Sequence, residues 1–245
     1  MSLQILLSGA TGAVGQIIAD LIAADEHAIL SGRASREQFF EPDLEADVII
    51  DFSHPDLLEQ VLRFATRHRI PLVTGTTALG DALQARLVEA SDFIPVCQAA
   101  NFSLGMNLLV ELARRAAAAL GEAYDVEILD IHHRRKIDAP SGTALWLGQA
   151  VAAARGLDFA PSVVHDRSSS RQARRDAEIG LHAVRGGDVA GEHTVYFLGE
   201  GERVELTHRS TNRQVFARGA LLAARRLPGR PPGLVDFAEL VLQPR

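Results

Sequence analysis

The sequence predicts an α/β protein in which a doubly wound parallel sheet is followed by a second, α+β domain with a mixed sheet. Three observations carry that prediction. Over the first hundred residues, short β-branched runs alternate with runs of helical period, the pattern of β-α-β units. A glycine-rich turn separates the first strand-like run from the first helix-like one. After Ser103 the pattern changes to one long helix followed by alternating strands.

Taken in order, strands are expected over residues 3–8, 28–31, 48–52, 71–74 and 93–98, with helices over 14–24, 55–68 and 81–91 whose apolar residues recur three or four apart. A helix over 105–120, ended by Gly121, leads to an alternating strand over 124–133 and a helix over 143–155. Strands follow over 179–184, 194–198 and 203–208, the last two joined by Gly199-Glu200-Gly201. Residues 166–176, with Ser168, Ser169, Ser170 and four arginines, have the polarity of a mobile loop. Helical period returns over 216–226 until Pro228, Pro231 and Pro232 break it, which suggests a return to the first domain. In open parallel sheets ligands sit beyond the C-terminal strand ends, so the loops after Ser8, Ser31, Phe52, Thr74 and Gln98 are the places to search.

Composition narrows the function. The 245 residues allow one large or two modest domains, and 47% hydrophobic with 23% charged residues excludes a disordered chain or a disulfide scaffold. Cys97 is the single cysteine, so no internal disulfide or CxxC metal pair can form. No apolar run approaches the roughly 18 residues of a membrane span, and Met-Ser-Leu-Gln lacks a basic signal-peptide flank, so a cytoplasmic protein without a membrane partner is expected. Net charge of −6 repels a phosphate backbone, and no nucleic-acid partner is expected. Against that background His132, His133, Arg134, Arg135 and Lys136 run consecutively and would draw a small anion to one place.

The turn Gly9-Ala10-Thr11-Gly12-Ala13-Val14-Gly15 lies between an N-terminal strand and an amphipathic helix. There the backbone can approach a pyrophosphate closely while the helix start offers unpaired N–H groups, so the first domain is read as a Rossmann-type dinucleotide site. The ribose-binding acid expected about 20 residues further on is missing. Ser31, Gly32, Arg33, Ala34, Ser35 and Arg36 stand there instead, and the Arg33 guanidinium suits a 2′-phosphate, favouring NADPH with NADH possible.

If the strand at 124 continues past His133, then His132, Arg134 and Lys136 project to one side. Asp138-Ala139-Pro140-Ser141-Gly142-Thr143 then opens a helix whose N–H groups and Ser141 and Thr143 hydroxyls can receive a carboxylate. Two anion sites within twelve residues suit a small dicarboxylate, and the His132 imidazole can move a proton. A His132–His133 metal pair is rejected, because consecutive strand residues face opposite ways and no ligand-spaced carboxylates are near; no metal is expected.

Ile131-His132-His133-Arg134-Arg135-Lys136-Ile137-Asp138-Ala139-Pro140-Ser141-Gly142-Thr143-Ala144 resembles the signature of the dihydrodipicolinate reductases. The resemblance extends to GATGAVG at 9–15, IDFS at 50–53, TGTT at 74–77, ANFS at 100–103 and RGGDVAGEHTV at 185–195. It implies reduction of a cyclic imine dicarboxylate by a nicotinamide dinucleotide on the diaminopimelate route to lysine, in a homotetramer assembled through the second domain. It also implies that His132 and Lys136 handle the proton, that His133, Gly142 and Thr143 contact substrate, and that the strand ends or twists near His133. Cofactor contacts are implied for Gly9 to Val14, for Gly75, Thr76 and Thr77, and for Ala100, Asn101, Phe102 and Ser103. The domains implied are 1–103 with 214–245 for the dinucleotide and 104–213 for substrate and assembly. Two alternatives stay open at this point: a related dehydrogenase acting on a linear amino acid, and a non-catalytic dinucleotide sensor.

Overall fold

A computed structural model describes residues 2–168 and 171–242. The strands β1 (Leu3–Ser8), β2 (Ala28–Ala34), β3 (Val48–Asp51), β4 (Leu72–Thr74) and β5 (Pro95–Gln98) are interleaved with the helices α1 (Ala13–Ala23), α2 (Pro55–His68) and α3 (Asp81–Ser91). Then come α4 (Leu104–Leu120), β6 (Asp125–His132), α5 (Gly142–Ala154), the short α6 (Phe159–Ser162), β7 (Val163–Val164), β8 (Ile179–Arg185), β9 (Gly191–Leu198) and β10 (Arg203–Ser210). The helix α7 (Gln214–Arg226), β11 (Gly233–Leu234) and α8 (Phe237–Leu242) follow. Two units result, one from the residues up to Leu104 together with those from Arg213 on, the other from Gly105–Asn212.

The first unit is a Rossmann-type α/β layer, with its six strands in the order β11-β5-β4-β3-β1-β2 and every pairing parallel. Its central strands are apolar on both faces, as a sheet covered by helices on each side requires. Ile5, Leu7, Ile50 and Val73 face one core with Ile18 and Ile22 of α1 and Ala217, Ala220 and Ala224 of α7. Leu6, Ile49, Leu72 and Val96 face another, with Leu58, Val61 and Leu62 of α2 and Leu87 of α3. This switch of face at every residue is the period-two geometry of a strand.

Strand β2 runs three residues beyond its expected end at 31. Leu30 pairs with Ile5 but Gly32 pairs with Leu6, so Ser31 is the extra residue of a bulge, its hydroxyl bonded to the Gln4 side chain at 2.5 Å. The polar Ser-Gly-Arg run that reads as a turn is therefore strand, and the basic loop begins only at Ser35.

The second unit holds a mixed sheet in the order β10-β9-β6-β8-β7, with β6, β7 and β8 mutually parallel and β9 antiparallel to both neighbours. One face, carrying Val126, Ile128, Leu181, Val195 and Phe197, packs on Met106 and Val110 of α4 and Leu147 and Val151 of α5. On the other face Leu129, Ile131 and Tyr196 are only half-buried and Val184 is exposed. The described residues of 166–176 have neither helix nor strand, in keeping with their polarity, but three of their four arginines are tied down. Arg167 binds Glu127 and Glu178, Arg174 binds Asp125 and Glu127, and Arg175 binds Glu178, whose carboxyl is lowered to about 2 by the hydrogen bonds from Arg167 and Arg175. Ser169 and Ser170 lie outside the described residues.

Candidate active site

In the first unit the glycine turn leaves β1 at Gly9, whose φ of 79° belongs to the left-handed region. A side chain there has no room, since a Cβ would lie 2.2 Å from the Phe52 carbonyl oxygen. Gly12 caps α1 with no side-chain hydrogen bond, leaving the helix start open to an anion. Gly9, Thr11 and Gly12 line a cavity of about 480 Å³ together with Ser35, Arg36, Ser53 and His54. Ala13, Val14, Gly75, Thr76 and Thr77 line a second, of about 670 Å³, that shares Phe52, Ser53 and His54 with the first. The two make one groove along the C-terminal strand ends, where a parallel sheet binds ligands. Glycine without a cap at one end and small hydroxyls at the other fit a dinucleotide.

A buried carboxylate holds this groove in shape. Asp51, fully buried at the end of β3, accepts hydrogen bonds from the hydroxyls of Ser53 (2.5 Å), Thr74 (2.8 Å) and Thr76 (2.6 Å). Thr76 in turn accepts the Ser53 N–H at 3.0 Å. The loops after β3 and β4 are thereby locked together, which gives the Asp of IDFS and the threonines of TGTT a structural purpose.

Arg33 and the four expected cofactor residues after β5 lie outside the lining of this groove. Arg33 is exposed within β2 and does not line the groove, because the bulge extends the strand past it; Arg36 takes that place. Phe102 is 1% exposed and packs on Phe52 and Phe237, with ring centroids 5.4 and 4.8 Å away, so its side chain belongs to the core. Ala100, Asn101 and Ser103 also lie after β5 but line neither cavity; Asn101 turns its side chain onto the Ser103 N–H at 2.9 Å.

In the second unit β6 ends at His132, so the alternation that would align His132, Arg134 and Lys136 does not extend that far. Both neighbours run out there: β8 stops at Arg185 before Gly186-Gly187, and β9 begins at Gly191. Gly186 donates to the His132 carbonyl, Arg134 to that of Gly187, and Lys136 to that of His133, turning the chain. Arg134 is exposed. Among the described residues the Lys136 ammonium has an ion pair only with Asp138 at 2.9 Å, a partner whose side chain is 58% exposed. That contact lowers the Asp138 carboxyl below its usual range. His133 keeps Nδ1 buried with no hydrogen-bond partner among the described residues.

Asp130, two residues before His132 and so on the same face, is the centre of the site. Fully buried, it has Oδ1 2.7 Å from His132 Nδ1, 3.3 Å from His193 Nε2 and 3.0 Å from the Ser141 hydroxyl. Its Oδ2 accepts from the Ser141 N–H at 2.8 Å and from Arg185 at 3.0 Å. Burial raises its carboxyl, but contacts with His132, His193, the Ser141 N–H and Arg185 outweigh this and hold it far below the carboxylate range. Asp130, Arg185 and His193 were missed in the sequence; the i, i+2 relation of Asp130 to His132 was the available signal.

Ser141 has a supporting role in this arrangement. Its hydroxyl donates to Asp130 and accepts the Ala144 N–H at 3.1 Å as the N-cap of α5, so no donor is left for a carboxylate. Gly142, exposed, and Thr143, half-buried, form the first turn beyond it. Among the described residues Asp130, His132 and His193 bring potential metal-ligand atoms within 4.8 Å of one another. Arg185 already neutralises that carboxylate, so the cluster works as a hydrogen-bonded hub.

Comparisons with known proteins cover both units. The family described as "Dihydrodipicolinate reductase, N-terminus" matches residues 3–102, and its C-terminal counterpart matches 105–241. A 4-hydroxy-tetrahydrodipicolinate reductase from an Anaeromyxobacter species is 41% identical over 97% of each chain. One from Thiobacillus denitrificans is 39% identical over 98% of this chain and 99% of its own. Among solved structures, a dipicolinate-bound dihydrodipicolinate reductase from a Paenisporosarcina species superposes with a TM-score of 0.78 at 24% identity, covering 98% of this chain and 100% of that one.

Proposed function

The chain belongs to the dihydrodipicolinate reductase family, NAD(P)H-dependent oxidoreductases of lysine biosynthesis that act on 4-hydroxy-tetrahydrodipicolinate, and on that premise we propose which of its residues do the work. The first unit is the dinucleotide-binding domain, and the second binds substrate and assembles the oligomer. The bound nicotinamide supplies a hydride. Conversion to tetrahydrodipicolinate consumes one hydride and one proton and releases the 4-hydroxyl as water. His132 and Lys136 supply that proton. Lys136 exchanges its exposed Asp138 partner for a substrate carboxylate. Arg134 adds positive charge to the same loop. The α5 start at Gly142 and Thr143 receives the other carboxylate, and the unpartnered Nδ1 of His133 finds a partner on the substrate. The observation that carries this reading is the end of β6, where a carboxylate-held imidazole, a lysine with one weak partner and a capped helix start follow within twelve residues.

NADPH is the preferred dinucleotide in this reading, with Arg36 and Ser35 on the 2′-phosphate, because both line the groove beside the glycine turn. Following nicotinamide absorbance with freshly generated cyclic substrate tests both points. Oxidation is expected with either dinucleotide, at lower KM for NADPH. Arg36→Ala should raise the NADPH KM about 10-fold, the equivalent of one lost charge-assisted contact, and leave NADH unchanged. An equal effect on both dinucleotides would place Arg36 off the phosphate, and no oxidation with the cyclic substrate would overturn the substrate assignment.

The half-buried sheet face with Leu129, Ile131, Val184 and Tyr196 supports a homotetramer built from copies of this chain, and sedimentation at the mass of one or two chains would refute it. No helix among the described residues is long and apolar enough to cross a membrane. A cytoplasmic location is part of the proposal. Its support is the buried free thiol of Cys97, pushed up to about 12 by burial and by Asp236; recovery in a membrane or periplasmic fraction would count against it.

A further inference from the structure

We infer that Asp130 is a positioning residue that fixes the proton-exchanging nitrogen of His132 and ties it to the helix start of α5. The inference rests on the proposed proton role of His132 and deepens it. Asp130 Oδ1 lies 2.7 Å from His132 Nδ1, although the ring N–H does not point squarely along that line. At that separation an unprotonated nitrogen would set two lone pairs against each other, so the proton of the neutral ring resides on Nδ1. Nε2 is then the nitrogen left to exchange a proton. It lies beside Gly191, where a Cβ would approach to 3.0 Å, so the absence of a side chain in RGGDVAG keeps this nitrogen uncrowded.

The surroundings favour this assignment. From β8, Arg185 binds Oδ2 of Asp130 and leaves Oδ1 to the histidines and the Ser141 hydroxyl. From β9, His193 places Nε2 3.3 Å from Oδ1 and 3.2 Å from the Ser141 hydroxyl, with its ring 5.2 Å from that of His132 in an edge-on arrangement. From β10, His208 faces His193, and its pKa is lowered by burial and then by that histidine, so it stands as a neutral neighbour. From α5, the Ser141 N–H and hydroxyl both donate to Asp130. One carboxylate therefore sets the tautomer of the proton-handling ring and the position of the turn that meets a substrate carboxylate. A small displacement of either is transmitted to the other through a buried, charge-assisted network.

Two measurements test this. Nitrogen-15 NMR of histidine-labelled protein, with the His132 signals assigned through His132→Gln, should show the neutral ring protonated at Nδ1. Asp130→Asn keeps the shape but removes the charge; its kcat should fall about 10- to 100-fold, less than the roughly 10²- to 10⁴-fold of losing a general acid or base outright, because the imidazole itself remains. The KM for the reduced dinucleotide should not change, since that ligand is held by the other unit, and the Nδ1-protonated signature should be lost. A wild-type ring protonated at Nε2, or a folded Asp130→Asn with wild-type kcat, would overturn the inference. Where Asp130→Asn does not fold, the wild-type tautomer alone decides. The tautomer is read without substrate, so its failure is distinguishable from a failure of the substrate assignment.

Discussion

Lys136→Ala is expected to lower kcat/KM for the cyclic dicarboxylate by about 10²- to 10⁴-fold, the usual scale for losing a proton-transferring group. Lys136 stands in the turn after β6 with its ammonium on Asp138. That pair is largely solvated, and exposed pairs contribute about 0.2–1 kcal/mol, so the fold should lose little when it goes. The loss falls on chemistry instead. A substrate carboxylate is left without its cation in the ground state, raising KM, and the proton source is diminished in the transition state, lowering kcat. Steady-state kinetics beside a thermal melt separate the two effects. An unchanged melt with a collapsed rate is the expected pair, and wild-type kinetics would remove Lys136 from the site.

Gly15→Ala should act in the opposite way, through the fold. A Cβ at Gly15 would sit 2.0 Å from the Gly9 carbonyl oxygen and 2.8 Å from its carbon, both backbone atoms that cannot swing aside. Gly9 is itself wedged against Phe52, so the strain has no outlet toward β3. The expected cost is about 4 kcal/mol or more, a large share of the roughly 5–15 kcal/mol that holds a typical domain together. Dinucleotide binding should disappear with it. Gly12→Ala is the contrast, because its nearest clash is 3.3 Å, again with the Gly9 carbonyl oxygen, and it should fold while binding the dinucleotide less well. A Gly15→Ala protein melting at the wild-type temperature would show that the turn is looser than drawn.

Much of this was legible in local pattern. Alternating runs marked β1, β3, β4 and α2 within a residue or two, because sheet and helix periods are short-range properties. What escaped depended on partners far along the chain. The end of β2 moved because Ser31 bulges against β1, and the end of β6 was set by where β8 and β9 stop pairing with it. Those two shifts explain why Arg36 replaces Arg33 at the groove and why Arg134 leaves the row containing His132. Asp130 escaped for a related reason. Its partner Arg185 is 55 residues away, and His193, which shares its contact with Ser141, is 52 residues beyond that serine. Short elements such as α6, β7 and β11 carry too few residues for any period to show.

Helix α7 supplies Ala217, Ala220, Ala223 and Ala224 to the core that also holds Ile5, Leu7 and Ile50, and Gly219 fits there because it lacks the Cβ that would lie 1.7 Å from the Phe102 carbonyl oxygen. The opening β-α-β stretch therefore waits for the last 32 residues of the chain. On the ribosome, the later-encoded mixed sheet can finish first, while the nascent N-terminal layer keeps one oily side bare until synthesis ends. A chain truncated at Asn212 and released from the ribosome should carry a protease-resistant C-terminal part behind a digestible leader.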